Sequence, residues 1–342
     1  MGDATGALSF IDHALALTPA DGRALLLKAQ ALRAVGRQKE AFEMANMARA
    51  QLADDAVALD SLGSFYSLSG EARLALDVYE RALQLTPRNA WRSEVQLRYA
   101  LAKEYEDLGE YARSWAHLEQ GARQQRRHLK YDIAQDVASI DRIIANSPDG
   151  SATITRVASR EPIFIVGLPC NGAKRVERVL GSHSSVSAGE RHIDRTPLNY
   201  LRCGPIRRAA PNARIVHLTC HPLAASYAMY KTLFKEGYAF SYELGEIGCY
   251  YLAYRKLMEH WHTRLPGAIH NLSYEEIIAD PVGATRRLLD FCRLEHEDAC
   301  LASAAQIHQT SAEASLSQWR HYGEQLAKLR DQLVTAGIAV SS

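Results

Sequence analysis

Residues 161–175 read EPIFIVGLPCNGAKR, and their pattern decides the fold of the second half of the chain. The apolar run Ile163 to Val166 ends at Gly167, a turn carrying Pro169 and Gly172 follows, and a helix is expected from Lys174. A strand, a glycine-bearing turn and a helix in that order can aim backbone N–H groups at a phosphate. From Gly167 to Gly172 the spacing is that of a phosphate loop, but Lys174 comes one residue later than that pattern requires. One residue of helix turns a side chain by roughly 100°. Arg175 also stands where the loop needs a hydroxyl to hold magnesium. The stretch is P-loop-like without being a nucleoside-triphosphatase loop.

Beyond it, short apolar runs alternate with helical periodicity. Strands are expected at 163–167, 213–218 and 268–274, and helices at 174–181, 198–210, 222–235, 242–264, 282–292 and 315–336. That alternation predicts an α/β domain, a parallel sheet with flanking helices, whose ligand site lies at the carboxyl ends of the strands.

The first half is organised differently. From Ala56 onward, Leu62-Gly63, Tyr66, Gly70, Ala75, Tyr79, Ala82 and Pro87 fall at the small, aromatic and terminating positions of a 34-residue repeat. A weaker copy precedes it (Ala29, Leu32, Gly36, Ala41, Ala48) and another follows (Leu101-Ala102, Tyr105, Gly109, Leu118, Gly121). The segment resembles tetratricopeptide repeats, so an all-α array is expected, with a concave face that could hold a peptide or protein partner. A further helix is expected over 131–145. The Pro-, Gly- and Ser-containing stretch after it sets the predicted domains at 1–146, a linker at 147–160, and 161–342.

Composition narrows the function classes. In 342 residues the net charge is +1, which argues against nucleic acid or a membrane surface as partner. The basic run Arg123 to Lys130 reads as a solvated helix face. Six cysteines, all in the second half and without a CxxC pair, suit a reduced compartment and argue against a structural zinc site. The amino terminus lacks a basic stretch followed by an apolar core, and no run approaches the ~18 apolar residues of a membrane span, so a cytoplasmic protein is expected. His217 and His221 do not share a helical face for a metal, and Tyr250, Tyr251, Tyr254 and Trp261 read as core packing at helical spacing.

The order and spacing of several segments resemble the sulfotransferase family, specifically its bacterial type with amino-terminal tetratricopeptide repeats, related to tyrosylprotein sulfotransferases. The segments are Gly167-Leu168-Pro169, Gly189-Glu190, Asp194 to Asn199, Ser273-Tyr274-Glu275-Glu276 with Asp280-Pro281, and Ser317-Gln318-Trp319-Arg320. The resemblance implies transfer of a sulfuryl group from 3′-phosphoadenosine 5′-phosphosulfate (PAPS) to a hydroxyl of a protein tyrosine or a small molecule. Positive donors would meet the charge on the leaving oxygen, and a base would take the acceptor's proton. Carried over residue by residue, it implies Glu190 as base, Arg195 as charge stabiliser, and Gly167, Pro169, Asn171, Gly172, Ala173 and Lys174 around the 5′-phosphosulfate. Ser226 lies two residues from the usual 3′-phosphate serine position, which is Ala228 here.

The family's Arg-Ser-Gly-Thr-Thr reads here as Cys170-Asn171-Gly172-Ala173-Lys174, and Cys220 and His308 stand at two further arginine positions. Only Arg191, His192 and Ile193 separate the Gly-Glu pair from Asp194. Losing two phosphate-binding guanidiniums costs about 3–6 kcal/mol, roughly two to four orders of magnitude in affinity. Against this, residues 170–214 hold nine Lys or Arg and three Asp or Glu, which is expected to keep the neighbourhood electropositive. Two readings stand: sulfuryl transfer at a depleted nucleotide site, or an inactive scaffold that binds a peptide through its repeats.

Overall fold

The computed structural model of the chain describes residues 4–147, 161–169, 172–306 and 317–340. Cys170, Asn171, His308 and nearly all of the expected linker lie outside the described residues. The chain divides into two compact units, Met1–Leu129 and Lys130–Ser342.

The first unit is all-helical: α1 (Ala4–Leu17), α2 (Gly22–Ala34), α3 (Gln38–Gln51), α4 (Ala56–Leu68), α5 (Ala72–Leu85), α6 (Trp91–Asp107) and α7 (Tyr111–Arg127). One turn recurs in it. Gly36, Gly70 and Gly109 take φ of 85°, 81° and 76° after α2, α4 and α6. In each case the next residue sends its N–H back to the helix: Arg37 to Leu32, Glu71 to Tyr66 and Glu110 to Tyr105, at 2.9, 2.9 and 2.8 Å. These are Schellman caps, which only a left-handed residue can close without strain. They fold α2 on α3, α4 on α5 and α6 on α7 as hairpins. A Cβ at Gly63 would lie 2.4 Å from the Tyr79 ring, so the missing side chain is what lets α5 seat on α4. Leu25, Leu32, Leu59, Leu62, Phe65 and Tyr66 fill the core behind these turns.

The second unit begins with α8 (Ile133–Ala145), which Asp132 caps by accepting the Ala134 N–H at 3.0 Å. Then come β1 (Ile163–Val166), α9 (Ala173–Gly181), α10 (Ser184–Ser187), β2 (Ile193–Asp194), α11 (Cys203–Ala209), β3 (Arg214–Thr219), α12 (Pro222–Tyr230) and α13 (Leu244–Arg264). The chain ends with β4 (Ile269–Ser273), α14 (Tyr274–Ala279), α15 (Pro281–Cys292), α16 (Asp298–Ala305) and α17 (Ala327–Thr335). The four strands are parallel in the order β2-β1-β3-β4, with Ile163 opposite Ile193 and Arg214, and Ile215 opposite Ile269. Val216, Leu218 and Leu272 pack on α9, α14 and α15 on one face, while His217 turns toward α13 on the other, as the period-two alternation of a strand requires.

The three expected strands are present, and so are helices at each expected place in 174–292. Four differences from the expected elements stand out. Helix α8 belongs to the second unit and not to the array, because its apolar stripe around buried Ile140 packs on α13. The expected 198–210 helix is a 3-10 turn at Asn199–Arg202 followed by α11. Leu198 has φ 67°, and Pro205 is tolerated only in a first turn. The described part of 315–336 is a 3-10 turn, Gln318–Tyr322, followed by α17. Strand β2 escaped prediction because two residues carry no periodicity.

Candidate functional site

The turn after β1 is held from two sides. Gly167 has φ 153°, and a Cβ there would lie 2.6 Å from the Leu218 carbonyl oxygen, so β1 can run beside β3 only with glycine at that point. Gly172, at φ 77°, caps α9, and its missing side chain leaves room for the Tyr274 ring, which a Cβ would meet at 2.6 Å. Arg175 lays its guanidinium 5.3 Å from the centre of that ring and donates to the Tyr274 hydroxyl. Pro169 and Ala173 flank the turn, and Lys174, in the first turn of α9, is exposed.

A cavity of about 550 Å³ opens at the carboxyl ends of β3 and β4, reaching Leu168 of the turn. Its floor is a polar relay. The Tyr254 hydroxyl meets His217 Nε2 at 2.5 Å, and His217 Nδ1 meets Asn271 Oδ1 at 2.8 Å, an oxygen that also faces His262 Nε2 at 2.9 Å. With Tyr254 donating and Asn271 accepting, His217 is a neutral imidazole protonated at Nδ1. Burial drives its pKa down from 6.5 to about 4. Burial likewise holds the Tyr254 phenol well above its ordinary value. At the rim, Glu275 accepts the His221 N–H at 2.8 Å, the His221 ring stacks on Trp319 at 4.5 Å, and Arg255 Nη2 faces Glu259 at 3.4 Å.

The two residues expected to do chemistry stand away from this cavity. Glu190 follows Gly189, which has φ 74°, and its carboxylate is exposed. Arg195 forms an ion pair with Glu177 of α9. Asp194 beside it accepts the Thr196 N–H at 2.7 Å and the Asn199 amide at 3.2 Å. Burial works to raise the Asp194 carboxyl, and the hydrogen bonds from Thr196 and Asn199 outweigh it, leaving the group below its usual range. Ser226 is fully buried within α12; among the described residues its Oγ has no hydrogen-bond partner, and it is not one of the residues that line the cavity. Part of the expected electropositive surplus is engaged: Arg195 pairs with Glu177 and Arg175 donates to Tyr274 beside the turn, while Arg191 pairs with Glu161 at 2.8 Å at the amino ends of β1 and β2.

These positions can be set beside known proteins. Residues 186–298 match the Sulfotransferase family. The match runs from α10 into α16 and contains Glu190, Arg195 and Ser226, while the turn from Gly167 to Lys174 precedes it. The chain is also similar to an uncharacterized protein of Aquifex aeolicus (strain VF5), 28% identical over 239 residues, covering 49% of this chain and 31% of the relative. This chain thus spans about a third of that relative's length. The parallel sheet flanked by helices is consistent with the sulfotransferase fold. No helix among the described residues is long and apolar enough to cross a membrane.

Sequence reasoning missed the relay. It treated Tyr254 and Trp261 as core alone; both are buried, at 3% and 2% exposure, yet each also walls a cavity. The signal was available: β3 carries His217 in an otherwise apolar run, and a buried imidazole needs partners.

Proposed function

We propose that this chain is a sulfotransferase-related binding protein, in which the cleft of the fold is retained and PAPS is no longer held in the family's manner. The observation that carries this reading is the Arg195–Glu177 ion pair: the cation that the resemblance aims at the transferring group is already neutralised by a carboxylate of the same domain.

Other features agree. PAPS brings several negative charges, and such a ligand needs guanidinium, ammonium or unpaired N–H donors around it. The cavity at the strand ends offers Arg255, beside Glu259, and a second carboxylate, Glu275, holding the backbone N–H where α12 begins. Cys220 supplies no charge at the end of β3, and the Ser226 hydroxyl is enclosed in the interior. The residues present do not fit PAPS in the pose the resemblance implies. The recurring hairpins support reading the first unit as tetratricopeptide repeats that recruit a protein segment. Apolar side chains exposed there, Phe10, Leu17, Leu27, Met47, Val57 and Leu68, offer such a segment purchase.

A second reading, residual sulfuryl transfer with Glu190 as base, rests on the Gly167-Leu168-Pro169 turn and on Lys174 at the start of α9, where helix N–H groups and an ammonium favour an anion. Calorimetric titration of the full chain with 3′-phosphoadenosine 5′-phosphate separates the two. The binding-protein reading expects no heat of binding up to ~1 mM. A dissociation constant below roughly 100 µM, with sulfuryl transfer to an acceptor phenol, would overturn it.

A further inference from the structure

A second cavity of the second unit, about 750 Å³, lies away from the strand ends, between α8, α11 and the carboxyl end of α13. Among the described residues it shares no lining residue with the cavity at the sheet's mouth. Its floor is apolar: Trp261, Leu201, Leu265, Ile143 and Pro211. Around that floor stand Arg142, Arg207, Arg208 and Arg264, and among the described residues no Asp or Glu lines it. The volume falls in the range of small-molecule sites, roughly 300–1,000 Å³.

Arg142, Arg207 and Arg208 have no carboxylate partner among the described residues, and two of them are held in place by oxygen acceptors. Arg207 donates to the Ala213 carbonyl at 2.9 Å, and Arg142 donates to Ser139 Oγ of its own helix at 2.9 Å. Half-buried Arg208 has no carboxylate partner among the described residues. Trp261 is fixed by its indole N–H, which donates to the Tyr200 carbonyl at 2.8 Å, so the apolar floor is rigid. Burial, together with the nearby Arg214 charge, disfavours the charged form of Arg207, a cost that an anion bound beside it would offset. A fixed apolar surface with the guanidiniums of Arg142, Arg207 and Arg208 at its edge, none paired with a carboxylate among the described residues, matches one kind of molecule, an apolar body carrying a tetrahedral oxyanion.

We propose that this cavity binds an amphiphilic anion, an aryl or alkyl phosphate or sulfate, with its apolar body on Trp261, Leu201 and Leu265 and its oxyanion held by Arg208 and Arg142 across the opening. The site is independent of PAPS and of the reading given to the mouth of the sheet.

The test uses the full chain, so that residues 148–160, which follow Ser147 at the cavity's edge, are present in the measurement. Calorimetry with 1-naphthyl phosphate and with decyl phosphate distinguishes an aryl from an alkyl body, and 1-naphthol and inorganic phosphate supply each half alone. At least one amphiphile should bind with a dissociation constant of roughly 10–100 µM, and each half alone at least ~10-fold more weakly. Arg208→Glu should weaken that binding ~10-fold or more, and Arg142→Glu on the opposite wall several-fold, in variants whose melting temperatures match the parent. Should Arg208→Glu fail to fold, Arg142→Glu, on an exposed helix face, carries the test. Silence of both amphiphiles to millimolar concentration, binding that neither variant changes, or inorganic phosphate binding as tightly as the amphiphiles overturns the proposal.

Discussion

The mouth of the sheet and the cavity behind α11 hold the same kind of charge under opposite conditions. At the mouth, two arginines stand beside a carboxylate: Arg195 with Glu177 and Arg255 with Glu259. At the cavity, Arg207 rests on a carbonyl oxygen, and among the described residues Arg208 has no carboxylate beside it and no acidic residue lines the walls. Half-exposed ion pairs of the first kind stabilise a fold by at most about 1 kcal/mol, but they remove a guanidinium from ligand binding. Charge counted along the sequence therefore locates the wrong end of the domain. Of the nine basic residues in 170–214, Arg207 and Arg208 are the ones that wall an apolar space.

The mouth's geometry should break most severely at Gly167. Gly167→Val sets a branched side chain against the Leu218 carbonyl in a backbone region that L residues avoid, and should cost about 2–4 kcal/mol of unfolding free energy in urea. A loss under about 1 kcal/mol would mean that β1 and β3 are not packed as described. A slightly smaller effect follows from His217. Its folded pKa of about 4 lies below the unfolded value, so as pH falls the unfolded chain takes up a proton that the folded chain refuses. The neutral relay's contribution is whole above about pH 6.5 and is lost progressively down to pH 4, about 3 kcal/mol in all. His117, His260 and His270, also lowered chiefly by burial, add in the same direction. His217→Gln should flatten stability against pH between 6.5 and 4; an unchanged slope would place its titration elsewhere.

The pairing of Arg195 sets the next effect. Glu177→Gln should release the guanidinium and, combined with Cys220→Arg, raise affinity for 3′-phosphoadenosine 5′-phosphate by ten- to a hundredfold, each tenfold being ~1.4 kcal/mol. Calorimetry reads this directly. No gain would show that the turn, and not the pairing, excludes the nucleotide.

How much of this could be read along the chain depended on the range of the interaction. The hairpin turns of the first unit were legible because each Schellman turn is written within six residues, from Leu32 to Arg37 and again from Tyr66 to Glu71. The strands were legible because β1, β3 and β4 are runs of four to six residues with their own composition. Glu177 meeting Arg195 was not legible: 18 positions separate them, and only the antecedent packing of α9 beside the sheet brings them together. Arg142 and Arg208 sharing one cavity was further out of reach, since it requires α8 to fold with the second unit. Periodicity shows that a helix has an apolar stripe without saying which neighbour covers it.

That assignment of α8 yields the smallest and most discriminating effect. Two things tie α8 to α13: the burial of Ile140, at 2% exposure, and the ion pair of Lys256 with Asp141 at 2.8 Å, whose side chains are 62% and 49% exposed. An exposed pair is worth little, so Asp141→Asn should lower stability by under about 0.5 kcal/mol. Ile140→Ala should cost about 2–4 kcal/mol and, by loosening the wall that carries Arg142, weaken amphiphile binding as well. If instead Asp141→Asn proves the costlier, α8 is held by charge at the surface and not by its stripe. The cavity's far wall would then soften with added salt, and the contrast with the rigidly packed mouth would rest on ionic strength.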